Sequence, residues 1–178
     1  MYKLYTNYLH CEGLDNTKPI GASNDNTTNL DYLVALEVYF RTHPKSNGRK
    51  TFDYLELGCA GGQVVLDLVN RGHNAYGIEG TPHPRNGGRA AWVDPLTRER
   101  MFEADISKPF LLQDPDGRPA KFDIISHWEF AEHLPTECLH YFTAKLFLHL
   151  RQSGRIFCGI SPWGHLTDVN RYFRNYPD

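Results

Sequence analysis

Residues 52–62 read FDYLELGCAGG, a short apolar strand that runs directly into a glycine-rich turn. Residues 63–70, QVVLDLVN, follow with the apolar spacing of a helix. In this arrangement the N–H groups at the start of the helix point towards the carboxyl end of the strand, where a ligand can approach the backbone closely. A dinucleotide-binding turn needs glycine at positions 58, 60 and 63, but Ala60 and Gln63 occupy two of them. The stretch therefore predicts a ligand site, and the acid Glu56 just before the turn disfavours a pyrophosphate there.

Strands and helices alternate on both sides of this stretch. The patterns predict further strands at residues 74–78, 100–104, 122–126 and 155–160, and helices at residues 30–41 and 135–150. Tyrosines spaced by three predict a short helix over residues 1–10, and residues 81–98 read as a long loop. Alternating strands and helices predict βαβ units, which give a Rossmann-like α/β fold: a parallel sheet with helices on both faces. We predict one domain, made of an N-terminal helical and loop segment (1–50) and the Rossmann-like part (51–178).

Three acidic residues fall at the ends of successive predicted strands. Glu56 precedes the glycine turn, Glu79 ends the next strand, and Asp105 ends the one after it. In Rossmann-like sheets an acid at the second position accepts hydrogen bonds from ribose hydroxyls. A carboxylate at Asp105 could accept an exocyclic amine, with Ile106 packing on the base. The three acids together suit a ligand with an amine, a ribose and an adenine, and no phosphate. Alternatively, each acid could be a local cap or a solvated strand end.

Composition excludes several classes of protein. The chain has 178 residues, of which 40% are hydrophobic and 22% charged, with a formal net charge of −2. This is an ordinary globular balance that gives no reason to expect a polyanionic partner. No apolar stretch is long enough for a membrane span, and no secretory signal is recognised at the N-terminus. The cysteines, Cys11, Cys59, Cys138 and Cys158, are widely spaced, which predicts buried, reduced thiols in a cytoplasmic protein.

Several segments, in order, resemble the motifs of class I S-adenosylmethionine-dependent methyltransferases. ELGCAGG (56–62) is similar to the first motif with Ala60 in place of its middle glycine, and GIEG (77–80) and EADI (103–106) resemble the next two. FDIISHWEFAEHLP (122–135) resembles the fourth-strand motif of small-molecule methyltransferases, and RQSGRIFCGISP (151–162) fits the fifth strand. The resemblance implies S-adenosyl-L-methionine as cofactor. The implied cofactor-binding residues are Glu56, Gly58, Cys59, Ala60, Gly61, Gly62, Glu79, Gly80, Asp105, Ile106 and His127.

The segment after the fourth strand carries the residues expected to do chemistry. A hydroxyl acceptor must lose a proton during methyl transfer, which requires a base or a metal near the methyl group. Candidate catalytic residues are His127, Glu129 and His133. On a helix, Glu129, Glu132 and His133 share one face and could hold a divalent cation such as Mg²⁺. This spacing resembles the metal-binding Glu-x-x-Glu-His of ubiquinone-biosynthesis O-methyltransferases, in which a more distant ligand completes the site; His165 is the candidate here. Alternatively, these residues only build the start of a helix.

The sequence predicts a methyltransferase that acts on a small-molecule acceptor, with O-methylation favoured. The resemblance implies seven strands, the last two forming an antiparallel hairpin, yet only 18 residues follow Ile160. The sequence therefore predicts a truncated hairpin, and a homo- or hetero-oligomer could cover the edge of the fifth strand. This leaves a second hypothesis, a non-catalytic or partner-completed binding module. A third and weaker one is nucleic-acid methylation, in which Arg85, Arg89, Arg98 and Arg100 would form a basic loop.

Overall fold

The computed structural model describes residues 2–11, 30–43, 46, 48–128, 131, 134 and 136–159 of the chain. Short 3-10 helices lie at Arg98–Arg100 and Thr136–Cys138. The strands and α-helices are β1 (Lys3–Tyr5), α1 (Leu30–Thr42), β2 (Asp53–Leu57), α2 (Gln63–Asn70), β3 (Asn74–Glu79), α3 (His83–Asn86), α4 (Ala90–Val93), β4 (Met101–Glu103), β5 (Leu111–Gln113), β6 (Phe122–Trp128), α5 (Leu139–His149) and β7 (Leu150–Gly159).

Five parallel strands form the main sheet in the order β4-β3-β2-β6-β7. The chain moves outward from β2 to β3 and β4, and then returns to the other side of β2 as β6. Ligands of open α/β sheets bind at such a reversal of strand order, outside the carboxyl ends of the strands. Here the reversal lies between β2 and β6, where Glu56 pairs with Ser126. The Rossmann-like prediction is confirmed.

Two apolar layers cover the two faces of the sheet. On one face α1, α2 and α4 pack against Tyr54 and Ile124; on the other, Phe142 and Leu146 of α5 pack against the face that carries Ile125. The alternation of residues along each strand sends successive side chains to opposite layers, so both faces are buried. In the described part of the chain, none of the helices combines the length and the apolar character that a membrane span requires.

An ion cluster closes the amino-terminal edge of the sheet. Asp123 accepts hydrogen bonds from Arg49 at 2.6 and 3.1 Å and from Arg151 at 2.8 Å, and Arg151 also pairs with Asp53 at 2.6 Å. Burial raises the pKa of Asp123, but the hydrogen bonds from Arg49, the Asp53 N–H and Arg151 outweigh it and leave the pKa below its usual value. The cluster ties together β2, β6 and β7 at the end of the sheet opposite the glycine turn.

The N-terminal segment is not the short helix that the tyrosine spacing predicts. Residues 2–11 run extended; β1 pairs antiparallel with β5 in a separate two-stranded sheet, and Tyr2 stacks on Tyr76 with ring centroids 4.5 Å apart. Backbone pairing with β5 outweighs a weak helical pattern, because ten residues are too few to form a stable helix alone.

Two further differences concern β7 and the cysteines. β7 begins immediately after α5 instead of after Gly154, which lies inside the strand where its register against β6 shifts. A side chain at Gly154 would put its Cβ 2.9 Å from the Asp123 carbonyl oxygen, so the close approach of β6 requires glycine. All four thiols are free, but only Cys59 is buried, and Cys158 is exposed.

Among the described residues, β7 is the outermost strand on one side of the sheet, next to β6. The predicted hairpin and its truncation concern residues 160–178, which lie outside the described part of the chain. The boundary at residue 50 stays a prediction, although α1 packs its Leu33, Leu36 and Phe40 into the same core as β2.

Candidate functional site

The glycine turn after β2 has a left-handed backbone at three residues. The φ angles are 69° at Gly58, 47° at Ala60 and 76° at Gly62. The N–H groups of Gly58 and Cys59 both donate to the Ile78 carbonyl oxygen, at 2.9 and 3.2 Å, which fastens the turn to β3. Ala60 takes the left-handed conformation with a Cβ, which costs an L-residue about 1 kcal/mol. The turn therefore has the form expected of a glycine-rich ligand loop, with strain at the one position where alanine replaces glycine.

Residues that the sequence assigned to a long loop support this turn. The Trp92 indole Nε1 donates to the Ala60 carbonyl oxygen at 2.8 Å, and the Ala91 N–H donates to the Gly61 carbonyl oxygen at 3.1 Å. Thr97 is fully buried and donates to the Ala91 carbonyl oxygen at 2.8 Å. The segment 81–98 thus contains α3 and α4 and holds the turn in place. A tryptophan within a stretch rich in glycine and proline was the available signal for this role.

Glu79 joins the turn to the end of β3. Its Oε2 accepts a hydrogen bond from the Ala60 N–H at 2.8 Å, and its Oε1 accepts one from the Thr81 N–H at 3.1 Å. Burial raises the pKa of Glu79, although these backbone hydrogen bonds oppose the shift. A carboxylate oxygen has two lone pairs, so both oxygens can still accept a ligand hydroxyl. The side chain can fix the turn and bind a ribose at the same time.

Glu56 is a buried acid whose charge is not neutralised by the described residues. Its relative exposure is 4%, its Oε2 has no hydrogen-bond partner in the described part of the chain, and none of the ion pairs found there includes it. Burial, followed by the charge of Glu79, raises the pKa of Glu56 to about 8. An unpaired carboxyl is costly to bury, so its presence at a strand end is typical of a site that receives a cationic group.

Asp105 and Ile106 lie beyond the end of β4, and both are buried. The Asp105 Oδ1 accepts hydrogen bonds from the Ser107 N–H at 2.9 Å and the Ser107 hydroxyl at 2.6 Å. Ile106 belongs to the core layer that also contains Ala104 and Phe110. The structure therefore brings Glu56, Glu79 and Asp105 to the same edge of the sheet, as the order of the motifs predicts. Their contacts with an amine, a ribose and a base stay predictions.

His127 lies at the same edge as Glu56, but its side chain is on the opposite face of the sheet. It follows Ser126, the partner of Glu56, by one residue, and its ring meets Phe142 of α5 edge-on, with centroids 5.4 Å apart. Its relative exposure is 4%. The next residue, Trp128, is 40% exposed and stands edge-on to Tyr32 of α1 at 4.8 Å. A direct role of His127 at the cofactor stays a prediction.

The predicted metal ligands Glu129, Glu132 and His133, and the more distant candidate His165, lie outside the described residues. Within the described part of the chain, no group of three or more histidine, cysteine, aspartate or glutamate side chains is arranged to hold a metal ion. The described structure does not test the metal hypothesis, which stays a prediction from the sequence.

The fold is similar to those of solved S-adenosylmethionine-dependent methyltransferases. A TehB-like enzyme of this kind from Corynebacterium glutamicum is 16% identical, with a TM-score of 0.52 over 82% of this chain and 80% of that one. The O-methyltransferase of a trans-AT PKS multienzyme from Brevibacillus brevis, solved with S-adenosyl-L-homocysteine, is 19% identical, with a TM-score of 0.50 over 70% of this chain and 39% of that one.

A glycopeptide N-methyltransferase, MtfA, solved with sinefungin, is 19% identical with a TM-score of 0.49. That match covers 70% of this chain and 51% of MtfA, so the chain spans about half the length of this protein. No family model and no curated protein matches the sequence. The two matches with a TM-score of 0.50 or more show that the chain has the Rossmann-like fold of those two methyltransferases.

Proposed function

We propose that the chain is an S-adenosylmethionine-dependent methyltransferase that acts on a small-molecule acceptor. The observation that carries the proposal is the buried Glu56, which forms no ion pair with the described residues and lies beside the left-handed turn at the reversal of strand order. A carboxylate at this place favours a ligand with an ammonium group and disfavours a phosphate. The cofactor is the common nucleoside ligand that has such a group.

The residues at the sheet edge fit the parts of this cofactor. Glu56 would bind the ammonium group, the free lone pairs of Glu79 would accept the ribose hydroxyls, and Asp105 would accept the exocyclic amine of adenine. The turn 58–62 would follow the cofactor backbone without a side chain in the way, apart from the small Ala60. When bound, the cofactor supplies an electrophilic methyl group, and the protein positions the acceptor and excludes water.

Titration of the chain with S-adenosylhomocysteine in a calorimeter tests this assignment. We expect saturable binding, and Glu79→Gln is expected to weaken it about tenfold or more, because hydrogen bonds to a charged group contribute roughly 1.5–3 kcal/mol. Glu99→Ala is the matched control, since Glu99 is an exposed acid away from the turn whose side chain is 59% exposed. The absence of saturable binding would refute the proposal and favour the alternative, a non-catalytic or partner-completed binding module.

O-methylation, and a divalent cation held by Glu129, Glu132 and His133, belong to the proposal on sequence grounds. A hydroxyl acceptor needs a base. The candidates are His127, Glu129 and His133, which are close in sequence to the end of β6. Once an acceptor is found, turnover should fall after EDTA treatment and in Glu129→Ala. Unchanged turnover in both would make these residues structural.

Three partner predictions accompany the proposal. Nucleic acid is disfavoured as acceptor, because three of the four arginines of the predicted basic loop have intramolecular partners. Arg85 pairs with Glu103 at 2.9 Å, Arg98 pairs with Glu99 at 3.9 Å, and Arg100 donates to Asn74 at 2.6 Å. We propose a cytoplasmic location. We also propose that another chain covers the edge of β7.

A further inference from the structure

Residues 2–11, here called the strap, run from Tyr76, on the face of the sheet, to the carboxyl ends of β3 and β4. The strap is fixed at both of these strands by backbone hydrogen bonds. The Asp105 N–H donates to the Tyr8 carbonyl oxygen at 2.9 Å, and the Cys11 N–H donates to the Gly80 carbonyl oxygen at 2.8 Å. Both bonds are made at residues that the proposed function assigns to the cofactor, Asp105 and Gly80.

A second set of contacts holds the strap beside these bonds. The His10 Nε2 lies 3.5 Å from an oxygen of the Glu103 carboxylate, and Arg85 pairs with the same carboxylate at 2.9 Å. The Thr6 hydroxyl donates to the Pro109 carbonyl oxygen at 3.0 Å. The partly exposed ion pairs add little alone. Together with the pairing of β1 with β5, however, the contacts define one path for the strap across the site.

The side chain of Cys11 enters the space that a side chain at residue 80 would fill. A Cβ added at Gly80 would lie 2.2 Å from the Cys11 Sγ, so the thiol packs directly on the Gly80 Cα. Burial, then the charges of Asp105 and Glu79, raises the pKa of the Cys11 thiol to about 12. Cys11 thus packs on Gly80, close enough to both acids of the proposed nucleoside subsite for their charges to act on it.

One observation indicates that this edge receives a ligand. Glu56, on the neighbouring strand, is 96% buried, has an Oε2 without a partner among the described residues, and feels the charge of Glu79. Asp105 accepts two hydrogen bonds from Ser107, both at Oδ1. Because a carboxylate has about four acceptor sites, these two bonds leave Asp105 able to accept another donor.

We propose that the strap is a wall of the nucleoside subsite and that the Cys11 side chain contacts the base of the bound nucleoside beside Asp105. This inference rests on the proposed function, because it names the wall of the same cofactor site. It assigns a binding role to a segment that lies outside the motifs, more than forty residues before the glycine turn in the sequence. Gly80 leaves the room that Cys11 takes, so the two positions act as a pair.

The test compares two ligands, adenosine and S-adenosylhomocysteine, by calorimetry. Cys11→Phe fills the subsite and is expected to weaken both ligands by the same factor, at least about tenfold, because the nucleoside is common to both. Cys11→Ser keeps the size of the side chain and should bind both within about threefold of the wild type. Leu9→Phe is the matched control, since Leu9 lies on the same strap and is 58% exposed.

The outcomes separate this inference from the proposed function. Wild-type chain that binds neither ligand refutes the proposed function. Wild-type binding that Cys11→Phe leaves unchanged, or a loss for S-adenosylhomocysteine alone, refutes the wall. Glu56→Gln provides the opposite pattern, because it should weaken S-adenosylhomocysteine and leave adenosine unchanged.

A labelling experiment on the wild-type chain covers the case in which Cys11→Phe does not fold. The thiols are reacted with methyl methanethiosulfonate with and without saturating adenosine, and each cysteine is followed by mass spectrometry. Adenosine is expected to slow labelling of the partly exposed Cys11 about tenfold or more and to leave the exposed Cys158 unchanged. Labelling of Cys11 that bound adenosine does not alter would overturn the proposal.

Discussion

Binding of S-adenosylhomocysteine at pH 7 is expected to release close to one proton from Glu56. With a pKa of about 8, this carboxyl is protonated in roughly nine of ten molecules of the free chain at pH 7. The ligand carries an ammonium group, which pairs with the ionised carboxylate and not with the neutral acid. The proton must therefore leave as the ligand binds.

The same linkage fixes how affinity changes with pH. Because only the ionised form of Glu56 binds the ammonium group well, the dissociation constant should fall about ninefold between pH 6 and pH 7. It should fall further by about fivefold between pH 7 and pH 8, and then level off as Glu56 becomes ionised in the free chain. A carboxyl with an ordinary pKa is ionised throughout this range and would give no change in affinity.

Calorimetry in phosphate, Hepes and Tris buffers at pH 7 measures the protons directly, because the buffers differ in ionisation enthalpy. Glu56→Gln is the control and should release about 0.9 fewer protons than the wild type. The pKa of Glu79 is also raised, but Glu79 is present in both chains, so the difference in proton release between them comes from the carboxyl of Glu56 and its coupling to Glu79. A dissociation constant that stays the same from pH 6 to pH 8, or equal proton release by the two chains, would refute the reasoning.

Four stability and binding effects follow from the same geometry. Ala60→Gly relieves the left-handed alanine and should raise the free energy of unfolding by about 0.5–1 kcal/mol in urea titrations; a loss would show that Ala60 is not strained. Trp92→Phe leaves the Ala60 carbonyl oxygen unpaired and should cost about 1–3 kcal/mol, with weaker S-adenosylhomocysteine binding, whereas unaltered affinity would separate Trp92 from the site. Gly154→Ala puts a Cβ against the backbone of β6 and should cost about 1–3 kcal/mol, and a silent change would contradict the close approach. Between about pH 5 and pH 8, Glu56 binds a proton in the folded chain and not in the unfolded chain. The free energy of unfolding of the wild type should therefore fall over this range relative to Glu56→Gln, on the order of 3–5 kcal/mol in total. If the free energies of the two chains changed in parallel with pH, the raised pKa would be contradicted.

The sequence predicted the parallel sheet and the position of three acids at the ends of its strands, because both features depend on local patterns. The strand, turn and helix around Glu56 use short-range spacing, which the sequence records directly. The strap was not predictable in the same way. Its backbone pairs with β5 and with residues 80 and 105, and such partners are set by tertiary packing, which hydrophobic periodicity does not record. Its tyrosines fit a helix as well as they fit an extended segment in contact with Tyr76.

The role of Trp92 was missed for a related reason. Its stretch is rich in glycine and proline, which indicates turns but does not tell which surface the turns pack on. The hydrogen bond from Trp92 to the Ala60 carbonyl oxygen joins two segments 32 residues apart. Residues that support a site by such contacts give no motif of their own, whereas residues that bind the ligand must carry particular chemical groups and are visible in the sequence.

Two buried acids, one at each edge of the same sheet, differ in their charged partners and in the direction of their pKa shifts. At the amino-terminal edge, Asp123 accepts hydrogen bonds from Arg49 and Arg151, its pKa is lowered, and its stabilising effect is lost only as the pH falls through that lowered pKa. At the carboxyl-terminal edge, Glu56 has no cation among the described residues, its pKa is raised, and its ionisation destabilises the folded chain as the pH rises towards 8. The chain offers arginines that neutralise the first acid and none that neutralises the second within the described structure. A stable fold alone gives no reason to keep Glu56 unpaired, whereas a ligand that brings its own positive charge does.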